Sequence, residues 1–278
     1  LMPILSNLPV EDIKSPDMLN LLLKIQDTGK LDMLKKVKGI ANGVFGYSVG
    51  MGVIDVNPVR DLPNDIFKKI PVKHYVTITD PREIAGLLDK LNQYHGSHEV
   101  SMALKLAPHL LLRPSELSGL LWSEMDFDEK LIRIGADRMK MKRIHLVPLS
   151  KQTFAIFQTL SKLDAESPYI FPSARDVNKP ITPDSLRNAI RNMGISKEEF
   201  TTHSFRSMAS TRLNELNYKG DVIEMQLSHA PKDKIRSAYN HAEYLPERKK
   251  MMQDWSNYLD KLQNKTSVSP SERQLNLF

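Results

Sequence analysis

The chain of 278 residues has no cysteine, and that absence removes disulfide frameworks, thiolate zinc sites, iron–sulfur clusters and thiol nucleophiles. It also lacks any run near the roughly 18 to 20 apolar residues of a membrane span. The first thirty or so residues carry no basic-then-apolar leader with a small-residue cleavage site, so a cytoplasmic protein without a membrane partner is expected. Neither a G-x-x-x-x-G-K-[ST] loop nor a G-x-G-x-x-G fingerprint occurs, so no nucleotide cofactor has support. What is present is ordinary: 41% hydrophobic and 26% charged residues, enough for one large or two smaller cores. Lys+Arg number 39 against 33 Asp+Glu, a net +6 with a pI of about 9.3, which tilts the chain toward an anionic partner.

Ser15-Pro16-Asp17 reads as an N-cap, a first-position proline and a first-turn acid, opening a buried helix with Leu19, Leu21, Leu22 and Leu23. A second helical pattern starts near Asp32 and closes between Gly50 and Asn57-Pro58, with Lys35, Lys36 and Lys38 on its polar face. Asp61 to Lys73 holds Pro63, Pro71 and the Lys68-Lys69 pair without periodicity, as linkers do. Asp80-Pro81-Arg82-Glu83 opens the next helix. Short apolar runs from Met125 to Leu149 predict a small antiparallel sheet, and helical patterns then resume to about Leu262. The fold class is therefore mostly α with a small antiparallel β-sheet. The expected domains are residues 1–66 (helical), a linker 67–78, a larger domain 79–262 and a loose polar tail 263–278.

Some motifs carry little. Gly46-Tyr47-Ser48-Val49-Gly50 matches an esterase nucleophile elbow, yet it follows a Lys-rich helical segment instead of a strand. Gly39, Gly43, Gly46 and Gly50 read better as a close-packing helix face. His95 and His98 have ligand-like spacing without a third ligand, and Asn264-Lys265-Thr266 is a sequon of no weight outside a secreted protein.

The informative set lies elsewhere. Arg113-Pro114-Ser115-Glu116 puts a cation at a helix N-terminus with Glu116 at its third position. Arg138, Lys140, Lys142 and Arg143 crowd a hairpin ahead of Val147-Pro148-Leu149. Thr202 is expected to cap a helix that carries His203 and Arg206 at i and i+3 on one face. His229 follows Leu227-Ser228, and Tyr239 comes ten residues later in a basic helical segment.

In that order these residues resemble the catalytic signature of the tyrosine recombinases, and most closely the phage and genomic-island integrase branch. Arg-Pro-Ser-Glu-Leu, Val-Pro-Leu-Ser, Leu-Ser-His and Ala-Tyr-Asn-His-Ala-Glu-Tyr-Leu-Pro-Glu-Arg carry the likeness over about residues 75 to 262. Residues 1 to 60 resemble the latter part of the family's core-binding domain. The amino-terminal arm-binding domain is not in this sequence, so a fragment of a longer protein is expected. The resemblance implies a site-specific DNA recombinase that integrates and excises a mobile element, of bacterial or prophage origin.

It also implies roles. Tyr239 is the nucleophile that forms a 3′-phosphotyrosine link, with Tyr244, five residues on and on another helical face, as its rival. Arg113 and Arg206 clamp the phosphate, His203 is the base, His229 adds a hydrogen bond, and Glu116 braces the site. Lys140 is the general acid, with Lys142 as the competing lysine. Lys35, Lys36, Lys38, Lys68, Lys69, Lys142 and Arg143 are the expected DNA contacts. The implied partners are duplex DNA attachment sites, further copies in a synaptic tetramer, and an excisionase or DNA-bending protein; no metal or other cofactor is implied. Leu110-Leu111-Leu112 stands where relatives often have a Thr-Gly-type turn, and Ser204 and Ser228 where glycine or alanine is frequent.

Overall fold

The computed structural model describes residues 5, 8–70, 77–163, 166–229 and 244–267. The chain divides into two compact units, 1–74 and 75–278.

In the first unit, α1 (Ser15–Asp27) and α2 (Leu31–Gly50) pack against each other across Gly29, whose φ of 74° lets the chain reverse. Ser15 is not the cap. Lys14 occupies that position, and the Asp17 carboxylate accepts its backbone N–H at 2.9 Å, so the helix begins a residue earlier. Met18, Leu21 and Leu22 of α1 meet Leu34, Ala41 and Phe45 of α2, and the core is completed by Val59, Leu62 and Phe67. Asn57 turns the chain back onto α2: its Oδ1 accepts Val59 N–H at 2.9 Å while its Nδ2 donates to Asn42 O at 3.0 Å. Phe67 is buried and Lys68 N–H donates to Gln26 Oε1 at 2.7 Å, so both positions at the head of the expected linker are fastened to this core.

The glycines of α2 overturn one expectation. A Cβ built on Gly39, Gly43 or Gly50 would meet nothing within 4 Å, so they face open space and form no packing surface. Ser48, the centre of the esterase-like motif, is helical, and its hydroxyl donates back to Val44 O at 3.1 Å. No nucleophile elbow exists there.

The second unit gathers α3 (Pro81–Asn92), α4 (His98–Leu110), α5 (Pro114–Ser118), α6 (Lys151–Leu160), α7 (Pro183–Asn192), α8 (Ser204–Glu215), α9 (Gly220–Gln226) and α10 (Leu245–Ser267) around one core. Asp80 caps α3 as its sequence implies, accepting Arg82 N–H at 2.7 Å. The antiparallel sheet is β1 (Met125–Asp126), β2 (Leu131–Ile134) and β3 (His145–Pro148) in the order β1-β2-β3, with Ile132 opposite Val147 and Ile134 opposite His145. A second pair, β4 (Pro172–Ser173) with β5 (Asp176–Pro180), has no counterpart in the sequence reading. Its strand Asp-Val-Asn-Lys-Pro is largely exposed and shows no apolar alternation to betray it.

The long α10 threads the unit together. Trp255 is fully buried and donates Nε1–H to the carbonyl of Pro108, the proline inside α4, at 2.8 Å. Beside it His109 Nδ1 pairs with Ser256 Oγ at 3.0 Å. The helix continues through Ser267, so residues 263–267, expected in a loose tail, are helical; residues 268–278 lie outside the described residues. Among the described residues no helix is long and apolar enough to cross a membrane.

Candidate catalytic site

α4 ends with Leu111 in the left-handed region, φ 59° and ψ 26°, a conformation glycine takes more readily. That turn delivers Arg113 to the N-cap of α5, as the sequence predicts. Glu116, 5% exposed, then holds Arg113 from two sides: Oε2 accepts its backbone N–H at 2.9 Å and Oε1 its Nη1–H at 2.7 Å. Arg113 Nη2 donates further, to Ser228 O at 3.0 Å.

Arg206 arrives from α8. The cap of that helix is His203, with φ −77° and ψ −24°, and not Thr202 as expected; Ser204 N–H donates to Thr201 O at 2.9 Å, so the chain is already turning before Thr202. Arg206 is 2% exposed and has no carboxylate partner among the described residues. Its fork is held by carbonyls instead: Nη1 donates to Leu111 O and Nη2 to Leu227 O, while His229 Nε2 accepts from Nη2 at 3.2 Å. Burial, then the Arg113 charge, lowers its pKa to about 10, still cationic at pH 7.

Two of these acceptors share an unusual backbone conformation. Leu111 (φ 59°) and Ser228 (φ 49°) both take left-handed backbone without being glycine, and each aims its own carbonyl at an arginine. The turn through Ser228 closes with His229 N–H donating to Glu224 O at 3.0 Å. Glu224 Oε2 then accepts His229 Nδ1–H at 2.6 Å, which fixes the ring with Nε2 toward Arg206.

His203 is half-buried. Burial, and then the charges of Arg206, Arg113 and His229, lower its pKa below the usual 6.5. Its imidazole is therefore neutral at pH 7 and able to take up a proton.

The other expected residues lie differently. Lys140 and Lys142 are exposed on the β2–β3 hairpin, which is pinned by the buried Met139. Lys142, at φ 53°, donates Nζ–H to Asp137 O at 3.4 Å, and Lys140 makes no hydrogen bond or ion pair among the described residues. Lys35, Lys36, Lys68 and Lys69 are exposed, and Arg143 is partly covered. Lys38 turns inward, over the Phe67 ring at 4.6 Å and bonded to Asn64 Oδ1 at 3.0 Å. Tyr239 lies outside the described residues, whereas Tyr244 packs against the core of its unit and accepts Arg248 N–H at its backbone carbonyl at 2.8 Å.

Sequence reasoning missed Glu224, Gln226, Arg248 and His145. Arg248 is 2% exposed; it donates to Leu146 O and, from Nε at 3.1 Å and Nη2 at 2.8 Å, to Gln226 Oε1. The partners of Arg248 and Gln226 come from distant stretches of chain, whereas Glu224 meets His229 only five residues on, across the turn at Ser228.

Known family models match both units of the chain. The family described as "Phage integrase family" matches residues 78–245, and "Phage integrase central domain" matches 1–65. Prophage integrase IntS of Escherichia coli K12 is 33% identical over 261 residues, covering 94% of this chain and 67% of the relative. The integrase of Shigella phage Sf6 is 32% identical with the same coverage. The chain thus spans about two thirds of the length of these relatives. Among solved structures, the fold is similar to that of the Tn1549 transposon integrase in complex with a circular intermediate DNA, with a TM-score of 0.65 at 16% identity over 80% of each chain. It is likewise similar to lambda integrase (residues 75–356), a dimer bound to a COC′ core site, with a TM-score of 0.61, 19% identity, and coverage of 83% and 81%. A match over more than half the chain, on the very segment that converges two arginines and two histidines, identifies this chain as a member of the phage integrase family of tyrosine recombinases.

Proposed function

We propose that this chain is the DNA-cleaving and rejoining part of a site-specific recombinase that integrates and excises a mobile element. The observation that carries the reading is the convergence of Arg113, Arg206, His203 and His229, from three separated segments, on one anion-ready site held by carbonyls and a single buried carboxylate. Residues 1–66 serve as the core-binding module, 67–78 as the linker, 79–262 as the catalytic domain and 263–278 as its C-terminal extension.

In the reaction, the Tyr239 phenolic oxygen attacks the scissile phosphorus. The new P–O(Tyr) bond forms at the 3′ side as the P–O5′ bond breaks, and the energy of the diester is kept for rejoining. A phenol with a pKa near 10 needs help at neutral pH. His203, neutral and next to the arginines, takes its proton. Arg113 and Arg206 bind the non-bridging oxygens as charge builds, and they are already oriented before substrate arrives. His229, steered by Glu224, joins them on the phosphate. Lys140 hands a proton to the departing 5′-oxygen, with the long, rotatable arm of a lysine side chain suited to reach in from an exposed hairpin. Glu116 holds Arg113 without reacting. Lys35, Lys36, Lys68, Lys69, Lys142 and Arg143 bind phosphates of duplex DNA, with Lys38 contributing least because it is drawn inward.

The working assembly is a synaptic tetramer on paired attachment sites in the cytoplasm, with an excisionase or DNA-bending protein setting direction. The test is a nicked duplex bearing the core site, which traps the covalent adduct on a denaturing gel. Wild-type protein forms the adduct and Tyr239→Phe does not. An adduct that survives in Tyr239→Phe and disappears in Tyr244→Phe moves the nucleophile to Tyr244. Failure of the wild type on every candidate site, with binding intact, defeats the recombinase reading.

A further inference from the structure

Arg248 of α10 is 2% exposed and, like Arg206, has no carboxylate partner among the described residues. Burial lowers its pKa to about 10, so the cation survives at pH 7. A buried charge of this kind is costly, and an apolar side chain of similar size would fill the space without that cost. Where the guanidinium spends its donors is therefore informative. Nε and Nη2 both reach Gln226 Oε1, at 3.1 and 2.8 Å, and Nη2 also donates to the carbonyl of Leu146 in β3. Gln226, the last residue of α9, is wholly buried. With its oxygen taken by the cation, its amide turns the nitrogen the other way, and Nε2 donates to Leu110 O at 3.4 Å.

The place of these bonds along the chain gives them a role. Leu110 is followed by Leu111, whose carbonyl holds Arg206 Nη1, and Gln226 is followed by Leu227, whose carbonyl holds Arg206 Nη2. One buried side chain thus joins the two turns that aim this arginine, at the residue before each acceptor. Each turn also contains a left-handed residue that is not glycine, Leu111 in one and Ser228 in the other, a conformation that persists only where the surroundings enforce it. Arg248 sets the amide and, through Leu146 O, ties this joint to β3. Both side chains are sealed from solvent, so their reach to the reaction runs through the backbone and Arg206, with no contact to DNA of their own.

We propose that Gln226 and Arg248 form a positioning pair for strand cleavage: the guanidinium orients the Gln226 amide, and the amide holds the Leu111 and Leu227 carbonyls at the separation that aims Arg206. The inference rests on the recombinase reading given above.

The test is Gln226→Glu. A carboxylate keeps the hold on Arg248, now as an ion pair, but it has no N–H for Leu110 O, so a mere strut survives the change and a joint between the turns does not. Adduct formation at saturating nicked DNA is expected to slow by about 10-fold, the scale of a misplaced catalytic group, with affinity by gel shift within about twofold of wild type. In an Arg206→Lys background, where the fork is gone, the same substitution is expected to slow the reaction by less than about twofold, because its effect travels through that fork. Three results overturn the inference: a Gln226→Glu protein that cleaves as fast as wild type, a loss carried by affinity instead of rate, or an equal slowing in both backgrounds. Should thermal melting show that Gln226→Glu does not fold, Arg248→Lys takes its place with the same readouts, since a lysine lacks the fixed fork that grips the amide oxygen from two nitrogens. A wild type that forms no adduct defeats the recombinase reading instead.

Discussion

The two units hold their cations in opposite ways. On α2 of the first unit, Lys35 and Lys36 stand in solvent, as suits contacts that read only charge. In the second unit Arg206 is almost wholly buried and its fork is aimed by two backbone carbonyls and a histidine. On the proposed reading, the contrast separates holding DNA from acting on it. An exposed lysine costs nothing to place and is screened by salt, whereas a buried guanidinium must be desolvated and oriented in advance of the phosphate.

The largest effect that would sharpen this contrast is at Arg206. Arg206→Leu should abolish adduct formation by about 10³-fold or more, and it should also lower stability, because the carbonyls of Leu111 and Leu227 lose their donors. Adduct assays with thermal melting check both. A variant that melts early but cleaves normally would mean the arginine is only a structural strut.

Next comes the acid response of the core under α10. His109 has its pKa lowered to about 4 by burial, with Asp260 opposing. Its folded value lies below the unfolded 6.5, so the unfolded chain binds more protons between those values and stability falls as pH drops from about 6.5 toward 4. The loss amounts to about 3 kcal/mol at the low end, since each tenfold difference in proton affinity is worth roughly 1.4 kcal/mol. Urea melts of wild type and His109→Gln at pH 7 and pH 4.5 measure it, and the variant should lose less on acidification.

Glu116→Gln follows. It keeps the shape but removes the charge that holds Arg113, and a drop of about 10-fold in cleavage with about 1 kcal/mol of lost helix capping is expected. Because His203 already has a lowered pKa, the cleavage rate should stay level as pH falls to 6.5 and decline only below it; a rate that halves near 6.5 would place the base elsewhere.

The smallest effects belong to the lysines. Lys35→Ala and Lys36→Ala should each lower the salt slope of DNA binding by about one while leaving cleavage at saturating DNA unchanged. Lys38→Ala should do the reverse, costing stability through Phe67 and Asn64 with little change in slope. Equal slopes for all three variants would break the comparison.

Much of the fold was legible because local signals governed it. Asp80-Pro81 capped α3 as read, and the apolar runs from Met125 to Leu149 became β1 to β3. Where local signals were silent or shared, the reading failed. Ser15 and Thr202 are competent caps, but Lys14 and His203 take those places because Asp17 and Thr201 satisfy the backbone from other positions. The α2 glycines recur at helical spacing, yet Gly39, Gly43 and Gly50 face open space and only Gly46 meets a neighbour among the described residues, Asn57. Gln263 to Ser267 is polar, yet it extends a helix already nucleated by Trp255 and Leu259.

The site divides similarly. Arg113, Glu116, His203, Arg206 and His229 were visible as an ordered series of short motifs. The second layer was not, because Arg248 and Gln226 act through each other and through carbonyls that approach only in three dimensions. Leu111 and Ser228 gain meaning only from the structure, which uses both as left-handed turns that present carbonyls.

The acceptors of Arg206 have a consequence in time. Leu111 and Leu227 flank most of the second unit, and both must be in place before the guanidinium has its orientation. Contacts between such distant stretches of chain form late in folding. A partly folded copy therefore carries Arg206 without the orientation that its two carbonyl acceptors give it.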